Sequence, residues 1–308
     1  MGQAPRGFAV RLGQLFSRTA CLSGRRPCWG QLMRISLCNE VVRELSFERQ
    51  CAFARAVGYD GLEIAPFTLG EDPHLLPPSR RTGLRAAAAA EGIVITSLHY
   101  LMLVPKGLSI TSEASAEHQR SIDVMSRLCD LAADLGARVL VHGSPAQRQL
   151  EVGREAEGRK RAVAAFAAAA EAAANAGVTY CIEPLAATET KLVNTVEEAA
   201  AIVREIAHPA LRTMIDCCAA ARAESQSIPE LLQHWLPTGN IAHIHFNDPN
   251  RRGPGEGGLG FASIVGALRA GGYQGVAAIE PFLYQPDGPS CAARAIGYLR
   301  GLQEMALA

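Results

Sequence analysis

From residue 33 onward the chain alternates between two hydrophobic patterns. Apolar runs of five or six residues, many β-branched, read as buried strands. Between them lie longer segments with apolar residues at helical spacing, several closed by a glycine. The predicted strands are 34–39, 61–65, 93–98, 138–142, 178–183, 211–216, 241–245 and 275–280. The predicted helices are 46–57, 79–91, 115–135, 159–176, 195–206, 227–235, 261–270 and 290–305. Gly58, Gly92, Gly136 and Gly177 stand where four of them stop. Thr195 with Glu198, and Ser227 with Glu230, have capping-box spacing.

Alternating strand–helix units without a composition break predict a parallel sheet with crossover helices. Eight units in about 270 residues suit a closed (β/α)8 TIM barrel. A doubly wound open sheet is the alternative. It expects a glycine-rich phosphate turn after the first strand, and Cys38–Glu40 offers none. One barrel domain is therefore expected over 33–308. Residues 1–32 carry Arg6, Arg11, Arg18, Arg25 and Arg26 and no acidic residue, a composition like that of a transit peptide. The expectation is instead a disordered or non-native extension ahead of Met33, on a cytoplasmic protein.

Composition narrows the partners. Thirty basic and thirty acidic residues give a formal net charge of zero, which argues against a nucleic-acid backbone as partner. No apolar run is long enough to cross a bilayer. Nine cysteines without a CxxC pair suggest a reducing compartment rather than a disulfide framework. A small-molecule substrate is expected, with no nucleic acid and no membrane. The outer helices suit a homo-oligomer.

In such a barrel the chemistry sits at the C-terminal ends of the strands. Four consecutive predicted strands end on Glu183, Asp216, His245 and Glu280. A single carboxylate there has a bland reading, as a helix cap or the partner of a nearby lysine. Three packed together without a cation would repel, and at least one would hold a proton. Three carboxylates and an imidazole suit a divalent ion: Mn2+ first, with Mg2+, Co2+ or Zn2+ as alternatives. His243 shares a strand face with His245 and is read as substrate-binding. His99 and His142 end the third and fourth strands and are read as partners of substrate hydroxyls. The bland reading of each is a structural hydrogen bond. Arg148, in GSPAQR, is a candidate bidentate partner for a substrate carboxylate or phosphate. Glu40 and Glu256 are weaker candidates at the rim.

Together, IEP at 182–184, MID at 214–216, HIHFNDPNRR with PGEG, and IEPF at 279–282 resemble one family. From Met33 to the C-terminus the chain is similar to the xylose isomerase-like TIM barrels. Within these it resembles the sugar and sugar-phosphate isomerases and epimerases of the D-tagatose 3-epimerase and hydroxypyruvate isomerase type. The resemblance implies that Glu183, Asp216, His245 and Glu280 bind the metal. It also implies that the two glutamates exchange the substrate proton, one on each face of a planar cis-enediolate. Glu189 falls on a supporting carboxylate and Arg251 on a substrate-binding arginine. The chain departs from the pattern at Ala219, where those epimerases carry a histidine, and at Ala186 and Ala187, where an Asn-Arg pair is common. The expected function is a divalent-metal-dependent isomerase or epimerase of a small sugar, ketose or hydroxy-carbonyl compound. The rivals are a dehydratase of the inosose or dehydroshikimate type, an AP endonuclease, and a non-catalytic accessory barrel. The endonuclease needs a trinuclear zinc cluster and a basic groove, against the zero net charge.

Overall fold

The computed structural model describes residues 32–305, so the predicted extension, apart from Leu32, lies outside the described residues. Eight parallel strands close in chain order: β1 (Arg34–Cys38), β2 (Gly61–Ile64), β3 (Val94–Leu98), β4 (Val139–His142), β5 (Thr179–Ile182), β6 (Leu211–Asp216), β7 (Ile241–Phe246) and β8 (Val276–Ile279). Closure is made by β1 on β8, with Arg34 opposite Val276 and Leu37 opposite Ile279. The fold is the predicted TIM barrel, and each strand agrees with its sequence-based bounds to within one residue at either end. Among the described residues no helix is long and apolar enough to cross a membrane.

The surrounding helices are α1 (Phe47–Val57), α2 (Pro78–Ala90), α3 (Ser115–Leu135), α4 (Glu155–Ala176), α5 (Val196–Ile206), α6 (Cys217–Ala223), α7 (Ile228–Trp235), α8 (Phe261–Ala270) and α9 (Gly288–Met305). Local chemistry sets their ends. Ser46 accepts from the Arg49 N–H ahead of α1, and Gly58 closes that helix at φ +102°, where a side chain is disfavoured. Both halves of the Ser227–Glu230 capping box are formed.

Two helices differ from expectation. The start of α4 is earlier than predicted, with Glu155 and Glu157 in its first turn, where negative charge meets the positive end of the helix dipole. The short helix α6 was not predicted. It starts directly at the end of β6, because the Asp216 side chain accepts from the Ala219 N–H at 2.6 Å.

Strand alternation places the site. Val141, Cys181 and Met214, with Val139 and Ala242 against them, form a small apolar cluster separate from the main core. Two residues further along the same strand faces stand Gly143, Glu183 and Asp216. Register shifts at Leu62/Glu63 and Thr213/Met214 set Glu63 opposite Ser97 and Asp216 opposite His245.

Candidate active site

Polar side chains from four consecutive strand ends converge. One ligand atom each from Glu183, Asp216, His245 and Glu280 lies within 4.8 Å of the others, and all four residues are buried. His245 Nδ1 is 3.0 Å from Glu280 Oε2, 3.6 Å from Glu183 Oε1 and 3.9 Å from Asp216 Oδ2.

The carboxylates are held from behind. Asp216 Oδ2 accepts from Asn247 Nδ2 at 2.7 Å, and Asn247 Oδ1 in turn accepts from the Cys218 N–H at 2.8 Å. Glu280 Oε1 is 2.8 Å from His99 Nδ1, and His99 Nε2 is 3.0 Å from Glu40 Oε2. His245 Nε2 is 2.8 Å from Glu63 Oε1, on the side of the ring away from the cluster. Glu183 occupies space that Gly143 leaves open: a Cβ at Gly143 would stand 1.5 Å from Glu183 Oε2.

Charge is crowded here. Burial, then the neighbouring Glu183 and Glu280, push Asp216 up to about 8. Burial raises Glu183 as well. Burial also opposes ionisation of Glu280, but His245 and His99 outweigh it and hold Glu280 down at about 2. For His245 and His99 burial disfavours the charged ring, yet the flanking carboxylates prevail and hold both well above the usual imidazole range. The cluster by itself therefore keeps protons that a cation would replace. His245 Nδ1 is a buried nitrogen with no aligned hydrogen-bond partner, as a ligand nitrogen would be. Three carboxylates and one imidazole are a donor set for a hard or borderline divalent ion. The residues present fit such an ion.

A pH dependence follows. With its value raised to about 8, Asp216 holds its proton more tightly in the folded chain than in the unfolded one. In the ion-free protein its contribution to stability therefore falls as pH rises from about 4 towards 8, and is level above that. An entering ion must displace this proton. The rise in Tm caused by Mn2+ is expected to be larger at pH 8 than at pH 5.5, read by scanning fluorimetry on chelator-stripped protein. Equal rises at both pH values would mean that Asp216 is ionised throughout.

The other sequence-derived candidates divide. His99 reaches the cluster, but by bracing Glu280 and Glu40. Arg251 is exposed, with its guanidinium 4.8 Å over the Phe282 ring. Glu189 is exposed on the loop after β5. Burial raises the Tyr100 phenol, and Glu280, Glu189 and Glu40 add to the rise while Arg251 opposes it.

Three candidates lie elsewhere. His142 does not face the opening, because Val141 and Gly143 take the inward positions of that stretch. Its Nδ1 is 2.7 Å from Tyr180 Oη, its ring packs edge-on against Phe166 of α4, and burial pushes its pKa down to about 3. His243 sits inside the barrel, with Nε2 2.7 Å from Glu63 Oε2, one strand repeat short of His245. Arg148 is fully buried behind β5, where Nη2 donates to the Glu183 carbonyl at 2.7 Å. Glu256 is also turned away, paired with Arg252 and Arg294.

Sequence reasoning missed Glu63, Asn247 and Gly143. Glu63 had a legible signal, a carboxylate inside the otherwise apolar GLEI strand. It stands within the strand, whereas the four predicted ligands mark strand ends.

Comparison with known proteins agrees with this fold. Over 231 residues the chain is 26% identical to the D-psicose 3-epimerase of Ruminiclostridium cellulolyticum, covering 74% of this chain and 75% of that protein. Over 241 residues it is 27% identical to the L-ribulose 3-epimerase of Mesorhizobium japonicum, covering 76% and 75%. A solved structure of an L-ribulose 3-epimerase shares the fold, with a TM-score of 0.76 at 24% identity over 89% of this chain and 96% of that one. Residues 51–302, from within α1 to within α9, match the family described as xylose isomerase-like TIM barrel, and the chain belongs to that family.

Proposed function

We propose that this chain, a sugar isomerase or epimerase like its relatives, is a divalent-metal-dependent enzyme that moves a proton next to the carbonyl of a small ketose or hydroxy-ketone. The observation that carries the reading is the pair Glu183 and Glu280, with carboxylate oxygens 3.6 and 3.0 Å from a buried His245 Nδ1 that lacks an aligned hydrogen-bond partner. A divalent ion, Mn2+ first by donor type, held by Glu183, Asp216, His245 and Glu280, would polarise the substrate carbonyl as a Lewis acid and make the adjacent proton more acidic.

The chain's own residues do the rest. One glutamate removes the α-proton, leaving a planar enediolate. The other returns a proton to the opposite face, which inverts the centre. Return to the neighbouring carbon would interconvert ketose and aldose. His99 keeps Glu280 aimed at its side of the substrate. Positioned general acid–base groups of this kind contribute about 10²–10⁴ in rate. Arg251 and Glu189, both exposed, are the proposed partners of outer substrate hydroxyls.

The test is solvent deuterium exchange. Mn2+-loaded protein in D2O is incubated with ketoses, ketose phosphates and keto-inositols and followed by proton NMR. Metal-dependent loss of a single α-proton signal is expected, with an epimer or an aldose as product. An unsaturated product would reassign the site to a dehydratase. No exchange with any member of the panel would overturn the reading.

A further inference from the structure

The buried carboxylate of Glu63 lies beyond the reach of a substrate, yet it is fully engaged. It stands on β2 inside the barrel with no exposed surface. Oε1 is 2.8 Å from His245 Nε2. Oε2 is 2.7 Å from His243 Nε2 and accepts from Ser97 Oγ. A carboxylate removed from water is costly unless charge and hydrogen bonds compensate it. Here the His245 imidazole and the Ser97 hydroxyl hydrogen-bond it and the His243 imidazole lies in contact with it, and His245 is the candidate ligand.

Imidazole chemistry links the two sides of that ring. When Nε2–H is donated to a carboxylate, the Nδ1 lone pair is the one left for a metal. His245 presents this arrangement, with Glu63 on its Nε2 edge and Glu280, Glu183 and Asp216 on its Nδ1 edge. The rings of His99 and His243 pack edge-on against it, with centroids at 5.6 and 5.1 Å, which resists rotation of the ring.

We propose that Glu63 is the positioning residue of the metal centre: braced by His243 and Ser97, it fixes the tautomer and orientation of His245 so that Nδ1 faces Glu183, Asp216 and Glu280. The proposal rests on the metal reading of the site. It gives His243 a role as the brace for Glu63 rather than as a substrate contact.

The test measures ion binding without catalysis. Mn2+ is titrated by calorimetry into chelator-stripped full-length wild type, Glu63→Gln and Glu63→Leu, with the Tm of each ion-free protein recorded alongside. Loss of a carboxylate behind a ligand histidine is expected to raise Kd by about 10–100-fold in Glu63→Leu. Glu63→Gln keeps an acceptor for the Nε2–H and is expected to lose less. A merely structural role would shift the ion-free Tm and leave Kd alone. A second readout is 15N NMR of Mg2+-loaded protein, in which the His245 Nε2–H signal is expected in wild type and lost or exchange-broadened in Glu63→Leu. If Glu63→Leu does not fold, Glu63→Gln decides. Wild-type binding with an unchanged Kd in the folded variants would overturn this proposal alone. No binding of Mn2+ by wild type would overturn the metal reading and this proposal with it.

Discussion

Exchanging Glu183 or Glu280 for glutamine is expected to stop epimerisation while leaving each variant able to exchange a proton on one face of the substrate. Glutamine has the shape of glutamate and cannot take a proton from carbon, so the loss should be about 10²–10⁴ in turnover or more. Folding should survive. Removing the Glu183 charge relieves the crowding that pushes Asp216 up to about 8, so ion-free Glu183→Gln should melt no lower than wild type. Glu280→Gln instead gives up the charge paired with His245 and His99 and should melt lower. The informative result lies in the deuterium pattern. If each glutamate serves one face, Glu183→Gln should wash deuterium into one epimer and Glu280→Gln into the other, with no interconversion in either. A variant that exchanges both epimers would show that a single base serves both faces. The two-glutamate assignment would then fail, even with the metal site intact. Binding must be checked in parallel, since each glutamate is also a candidate ligand. Calorimetry with Mn2+ separates a lost base from a lost ion.

Gly143→Ala should be nearly as damaging, although it adds one methyl group to a residue with no functional atoms. The Cβ would lie 1.5 Å from Glu183 Oε2 and 2.7 Å from its carboxyl carbon. Neither backbone can retreat easily, because β4 and β5 are paired through Val141 with Cys181 and His142 with Ile182. The carboxylate must therefore swing away. A displacement of about 1 Å at a reacting group can cost about 10² in rate. Mn2+ affinity should fall with it, while the Tm changes little. Gly266→Ala is the control: it lies within α8 with nothing within 4 Å of the added carbon, and alanine in a helix is favoured over glycine by about 0.5–1 kcal/mol. Full activity in Gly143→Ala would mean that Glu183 need not stand where it does.

Much of this molecule is local in origin. The period of the apolar residues, the closing glycines and the capping pairs specify eight strand–helix units within windows of a few residues. Chain order and the right-handed preference of parallel crossovers then leave few ways to arrange them. Because strands in a parallel barrel run the same way, their ends share one face, and so Glu183, Asp216, His245 and Glu280 could be grouped from sequence before any contact was known. What closure alone decided is which groups stand behind them. Parity along β4 turned His142 outward to Tyr180 and Phe166, a matter of one residue that a strand end does not reveal. The partner of His245 is Glu63, 182 residues away, and that of Glu280 is His99, 181 residues away. Arg148 donates to the Glu183 carbonyl, 35 residues away. Hydrophobic periodicity and capping act between neighbours along the chain, so the sequence by itself determined the barrel and which strand ends carry the polar groups. The hydrogen bonds that aim those groups join strands far apart in the chain, and only the tertiary structure brings them within reach.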